Sequence, residues 1–236
     1  MKRKAILLGN TDGLPGVKID MERFSSFLKS DAGGAWLGSE LEIFQDIAKA
    51  KLMSKIIDWK RGAFDYVIVL FSGHGGQIRE TVLELNKTGE QIEESTLRSI
   101  ASRQLTIFDC CRSLLQITTE SLTMDRTFAA FAKSQSNVRM RYDVRIMEAI
   151  PQQVQLYSCS IGEVSYDTQD GGVYLKNLLQ AATNQISEFK LVGSAHQEAI
   201  EPTLRYSRNE KHGDQNPAAV LPKCLSAQQL IISIKP

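Results

Sequence analysis

Six consecutive apolar residues, Tyr66-Val67-Ile68-Val69-Leu70-Phe71, run without interruption into Ser72-Gly73-His74-Gly75-Gly76. A strand with one wet face alternates apolar and polar residues, so an unbroken run predicts a strand buried on both faces. Strands of that kind belong to parallel sheets, whose crossover connections lay helices over each face. This segment alone points the chain to an α/β fold.

The rest of the chain repeats the pattern. Ala5 to Leu8 is a second apolar run, ended by Gly9, and Leu41 to Phe44 is a short strand. Leu105-Thr106-Ile107-Phe108 runs into Asp109-Cys110-Cys111-Arg112-Ser113, and Val154 to Tyr157 reads as a further strand. Val17, Met21, Phe24 and Phe27-Leu28 recur at helical spacing, as do Leu52, Ile56, Ile57 and Trp59, stopped by Gly62. A helix is predicted from about Gly172 to Thr183, a small hairpin with one arm at Thr81 to Leu85 turning near Asn86-Lys87-Thr88-Gly89, and a last strand at Leu230 to Ile234. The expectation is a single domain over 1–236, a three-layer αβα sandwich around a mostly parallel, roughly six-stranded sheet. Residues 113 to about 150 carry Arg126, Lys133, Arg139, Arg141 and Arg145 among polar side chains and read as a mobile basic connection, with a helix around Phe128 to Lys133. Residues 206–217 read as a second polar loop.

Composition narrows the function. With 28 basic and 27 acidic side chains and a net charge of +1, no bulk field favours nucleic acid or an anionic membrane. No apolar run is long enough to span a bilayer. The start, Met1-Lys2-Arg3-Lys4 followed by Ala5 to Leu8, has the order of a leader, but its apolar run is too short and a first strand fits better. The four cysteines include the adjacent pair Cys110-Cys111, poor material for a disulfide framework, so a reducing, cytoplasmic setting is expected.

Two of the apolar runs end in reactive residues. In an open parallel sheet, functional groups gather outside the carboxyl ends of the strands. If the two strands are neighbours, His74 and Cys111 emerge at one edge within reach of each other. A thiol is mostly protonated at neutral pH, and a nearby imidazole can take its proton to make a nucleophile. Gly73 and Gly75 let the chain turn sharply and let a substrate approach the backbone. The N–H groups of Gly75 and Cys111 are candidates for binding an oxyanion. A vicinal Cys pair can instead mark a metal or redox site, but no Cys-x-x-Cys or second Cys/His cluster accompanies it.

At these residues the sequence resembles the caspase and metacaspase superfamily of cysteine peptidases. Tyr66 to Gly76 is similar to its histidine motif and Leu105 to Ser113 to its cysteine motif. Leu14 to Asp20 resembles the metacaspase pattern before the first helix, and Tyr157 to Asp167 with Gly171-Gly172-Val173 resembles the loop and helix after the next strand. The resemblance implies a caspase-like fold, Cys111 as nucleophile with Cys110 as the middle residue of Asp-x-Cys, and His74 as its partner. Two departures stand out: Arg112 where metacaspases commonly have His, though caspases use Arg, and Leu114 where the family usually has Gly. The separation between His74 and Cys111 is also shorter than the roughly 50 residues of caspases.

The resemblance further places Asp20 and Asp109 in the primary specificity pocket. Two carboxylates there favour protein substrates with Arg or Lys before the scissile bond. The basic stretch Arg126 to Arg145 then becomes a candidate for self-cleavage. Metacaspases often need calcium, but Glu80, Glu84, Glu90, Glu93 and Glu94 are scattered and specify no site, so no metal or cofactor is expected and a calcium requirement is doubtful. Nothing here resembles a Gly-x-Ser-x-Gly elbow. The rival reading is a catalytically weak caspase-like module that acts by binding; an activator or sensor protein, and the choice of monomer or dimer, are left open.

Overall fold

The computed structural model describes residues 1–114, 137–184 and 187–236. Its strands are β1 (Arg3–Gly9), β2 (Leu41–Gln45), β3 (Tyr66–Ser72), β4 (Gly75–Gln77), β5 (Thr81–Glu84), β6 (Gln91–Glu93), β7 (Arg103–Asp109), β8 (Gln152–Tyr157), β9 (Asp167–Thr168), β10 (Gly171–Gly172), β11 (Phe189–Leu191), β12 (Ala218–Val220) and β13 (Ile231–Ile234). The helices are α1 (Gly16–Lys29), α2 (Lys49–Arg61), α3 (Asn137–Glu148), α4 (Val173–Thr183) and α5 (Val192–Lys211).

The main sheet has six strands in the order β12-β8-β7-β3-β1-β2. The five from β2 to β8 are mutually parallel, and β12 is antiparallel to β8. Alternation along each strand divides two cores. Ile68, Leu70, Leu105 and Ile107 face α1, α3, α4 and α5, while Val67, Val69, Phe71 and Phe108 face α2 and the β4–β6 meander. Every residue of β3 is buried, which is why its sequence carries no polar interruption. The three-layer sandwich with a mostly parallel sheet is as the sequence predicted.

Three local expectations are corrected. The basic connection is not a loop throughout, because residues 137–148 form α3 with Arg139 and Arg145 buried on its inner side. Arg139 pairs with Glu40 at 2.5 Å, and Arg145 donates to the Ser226 carbonyl at 3.1 Å, so these charges hold the helix in place rather than solvating it. The expected helix at Phe128 to Lys133, with Arg126, lies outside the described residues. The expected last strand exists as β13 but pairs with β11 in a separate two-stranded sheet, and the sixth strand of the main sheet is β12. Finally, residues 206–211 of the second polar loop belong to α5. Its buried side is built from Val192, Ala195, His196, Ala199, Thr203 and Ser207, small or polar residues that leave little apolar signal.

Candidate active site

Strands β3 and β7 are hydrogen-bonded parallel neighbours with Ser72 opposite Asp109. Their carboxyl ends therefore deliver His74 and Cys111 to one edge of the sheet. The chain leaves β1 for β2 on one side and returns to β3 on the other, so this edge is also a topological switch point. Helix α1 starts there and brings Asp20. One cavity is lined by all five side chains or backbones the sequence singled out except Gly75: Asp20, His74, Asp109 and Cys111, together with Ser165 and Asp167.

The turn after β3 needs glycine. Gly73 has φ +156°, and a Cβ there would stand 2.8 Å from Asn10 Cβ. This close passage lets the His74 ring reach back to the loop after β1, where Nε2 lies 2.6 Å from the Asp12 carbonyl oxygen. A carbonyl only accepts, so Nε2 carries the proton and Nδ1 is the basic nitrogen. Gly75 opens β4 against the second turn: a Cβ there would meet Cys110 Sγ at 2.8 Å and the Cys111 carbonyl at 2.9 Å. The histidine and cysteine turns thus lie backbone to backbone.

The two adjacent cysteines face opposite ways. Cys110 is buried among the residues packed under α2, and that burial pushes its thiol well above the usual range. Cys111 opens to the cavity, where its Sγ accepts the Ser165 N–H at 3.3 Å and donates to the Ser165 carbonyl at 3.5 Å. Burial raises the Cys111 thiol, the Ser165 N–H opposes the shift, and Asp109 adds to it. Arg112 anchors the turn from behind: its guanidinium stacks 4.0 Å over the Tyr157 ring, and its Nε donates to Thr81 Oγ1 at 3.1 Å.

Three carboxylates share the cavity. Asp20 accepts from Ser72 Oγ at 2.8 Å and from the Gly172 N–H at 2.9 Å. Asp109 accepts from Ser165 Oγ at 2.7 Å and from the Leu175 N–H, in the first turn of α4, at 3.1 Å. Asp167, at the start of β9, accepts the Gly16 N–H at 3.0 Å. Burial, then the charge of Asp109, pushes Asp20 up to about 8 against its hydrogen bonds. Burial also raises Asp109 and Asp167, and for Asp167 the neighbouring His74 pulls the other way. No Lys or Arg side chain among the described residues pairs with any of the three. No group of three or more His, Cys, Asp or Glu among those residues is arranged to hold a metal ion.

The space left between these groups is about 40 Å³, room for a water or two and not for a long side chain. The β9–β10 hairpin closes it. Arg23 Nη2 holds Asp170 at 2.7 Å, Lys176 binds the same carboxylate, and a Cβ on Gly172 would stand 2.5 Å from Asp109 Oδ2. Asp167, Ser72 and Ser165 were not singled out from the sequence. Asp167 stood in the stretch that resembles the family's loop, but nothing local said that a two-residue strand would turn its carboxylate toward α1.

Comparison with known proteins bears on the family and the fold. A family model described as the caspase domain matches residues 2–220. Caspase-1 from Spodoptera frugiperda superimposes with a TM-score of 0.62 at 13% identity, over 93% of this chain and 86% of that one, a likeness of fold. No curated protein sequence matches the chain.

Proposed function

The chain belongs to the caspase-domain family, and from that premise we propose that it is a cysteine endopeptidase cleaving proteins after Arg or Lys. Cys111 is the nucleophile. His74 takes the thiol proton at Nδ1, the thiolate attacks the scissile carbonyl carbon, and the Gly75 and Cys111 N–H groups bind the oxygen as it becomes an anion. His74 then returns the proton to the leaving amine. Water hydrolyses the thioester, restoring the thiol and releasing the carboxylic acid. The observation that carries the specificity is the convergence of buried Asp20 and Asp109 with half-buried Asp167 beside Cys111, none of them paired with a Lys or Arg among the described residues. A guanidinium or ammonium of the substrate supplies the missing charge, and the loss of its hydration is offset by several charge-assisted hydrogen bonds.

Fluorogenic peptides ending in Arg, Lys, Asp or Ala test the reading. Turnover of the Arg and Lys peptides that disappears in Cys111→Ala is expected; a preference for Asp would overturn the specificity. The same chemistry extends to self-cleavage in the basic segment. There Arg139 and Arg145 are tied into α3, so clipping is expected outside that helix, and intact mass of the wild type against Cys111→Ala measures it. A second reading, a module that acts by binding, draws on the closed cavity and on the Cys111 thiol held at both ends by Ser165. Absence of turnover with every peptide, after the hairpin has been loosened by mutation, would favour it.

A further inference from the structure

Gln215 follows α5, far along the chain from either reactive turn, yet it is completely buried next to the cleft. Its Nε2 donates to the Ser158 carbonyl at 3.0 Å and to Ser165 Oγ at 3.2 Å, while its Oε1 accepts the Tyr166 N–H at 3.2 Å. Its own N–H donates to Ser207 Oγ of α5 at 3.2 Å. Asn216 continues the clasp, its N–H and its Nδ2 each reaching the Glu163 carboxylate at 2.7 Å. The Glu163 carbonyl in turn accepts the Arg112 N–H at 2.9 Å.

These bonds converge on one short segment. Ser165 is the residue whose N–H meets Cys111 Sγ and whose hydroxyl meets Asp109 Oδ1. Both ends of the Gln215 amide are used, one donating and one accepting. A carboxylate at 215 would turn an oxygen toward the Ser158 carbonyl, and a hydrocarbon would strand three buried polar groups. We propose that Gln215 is a positioning residue for the nucleophile and the specificity pocket, holding Ser165 so that one residue serves Cys111 and Asp109 together. This rests on the reading of Cys111 as the nucleophile.

The groups around the Cys111 thiol are Asp109, Cys110 and Arg112 on its own segment, Cys159 after β8, and His74 and Asp167 across the cavity. Of its contacts, the Ser165 N–H is the one that favours the thiolate. Releasing Ser165 therefore moves the thiol further up.

The test is the rate of iodoacetamide alkylation at Cys111, followed residue by residue by mass spectrometry across the thiol titration range, in wild type, Gln215→Met and Ser165→Ala. Gln215→Met conserves volume and removes the amide; Ser165→Ala removes the hydroxyl through which Gln215 holds the segment. The inflection is expected at higher pH in both variants, with alkylation near neutral pH slowed several-fold. Where Arg peptides turn over, kcat is expected to fall about tenfold. A lower Tm with an unchanged Cys111 alkylation curve would overturn the proposal, since that is all a structural role predicts. If Gln215→Met does not fold, an unchanged curve in Ser165→Ala overturns it by itself. Failure of the peptidase reading looks different: no peptide turnover in the wild type, with the alkylation shift still present.

Discussion

Two regions of this molecule bury several charged groups, and they treat them in opposite ways. At the outer end of α3, Arg139 grips Glu40 through two nitrogens, at 2.5 and 2.8 Å. Arg3 reaches Glu40 at 3.3 Å and Asp143 at 2.8 Å while lying 4.3 Å over the Trp36 ring. Burial pushes Glu40 up, but the Arg139 hydrogen bond and the charge of Arg3 outweigh it, and the carboxyl ends below its ordinary range. Asp143 is the weaker member, since burial outweighs its partners and leaves it raised. At the carboxyl ends of β1, β3 and β7, Asp20, Asp109 and Asp167 have neutral hydrogen-bond donors and no Lys or Arg partner among the described residues, and all three are raised. The first cluster is complete as folded. On the proposed function, the second is completed by the basic side chain of a substrate, which would be the difference between a charge that holds a fold and one that recognises a ligand.

The largest expected effect lies in the first region. Glu40→Ala leaves Arg3 and Arg139 buried against fewer partners, and should destabilise by about 3 kcal/mol, seen as a Tm lower by about 6–12 °C. Arg-peptide turnover near 25 °C should hardly change. Asp20→Asn makes the converse test: kcat/KM for Arg peptides should fall about 100-fold, the loss of one charge-assisted contact, with the fold intact. If Asp20→Asn unfolds the protein, or Glu40→Ala abolishes turnover in the folded state, the contrast between the regions fails.

The pH dependence separates the regions next, because the signs differ. Asp20 is raised from 3.8 to about 8, so its contribution to stability is fully present below about pH 4 and is lost as the pH rises through 8. Glu40 is lowered from 4.5, so its contribution is present above about pH 4.5 and is lost as the pH falls through the lower folded value. Thermal melts should therefore show Asp20→Asn gaining on the wild type as the pH rises toward 8, while Glu40→Gln loses most near neutrality and little in acid. Parallel curves for the two variants would show that burial alone, not pairing, sets both sites. The smallest expected effect is at the hairpin. Asp170→Ala frees the exposed clasp with Arg23 and Lys176 and should raise kcat/KM for Arg peptides modestly, with stability nearly unchanged. A slower variant would mean that the hairpin orders the pocket rather than closing it.

The same contrast shows what could be read in advance. Tyr66 to Phe71 and Leu105 to Phe108 were legible as buried strands because every side chain of a doubly covered strand must be apolar or small, and the reactive turns follow them directly. That put His74 and Cys111 on the page before any packing was known, and the family resemblance added Asp109 and Asp20. The basic residues of α3 misled for the opposite reason. Arg139 and Arg145 are written like solvated charges, and only Glu40 and Ser226, distant in the chain, turn them inward. Helix α5 hid behind small and polar contact residues and Pro202. Strand β12 is three residues that become a strand because β8 offers an open edge.

The sequence by itself determined the layered, mostly parallel sheet and the two turns that carry the thiol and the imidazole, because those depend on the local period of apolar residues and on glycine at the turns, while the order of the strands came from the tertiary structure. Only the tertiary structure decided which cysteine faces the cavity, that Asp167 joins Asp20 and Asp109, that the β9–β10 hairpin closes over them and that Gln215 anchors Ser165. Each of these is a contact between segments remote in the chain, set by sheet register and by the need of every buried polar group for a partner, and no local pattern records it.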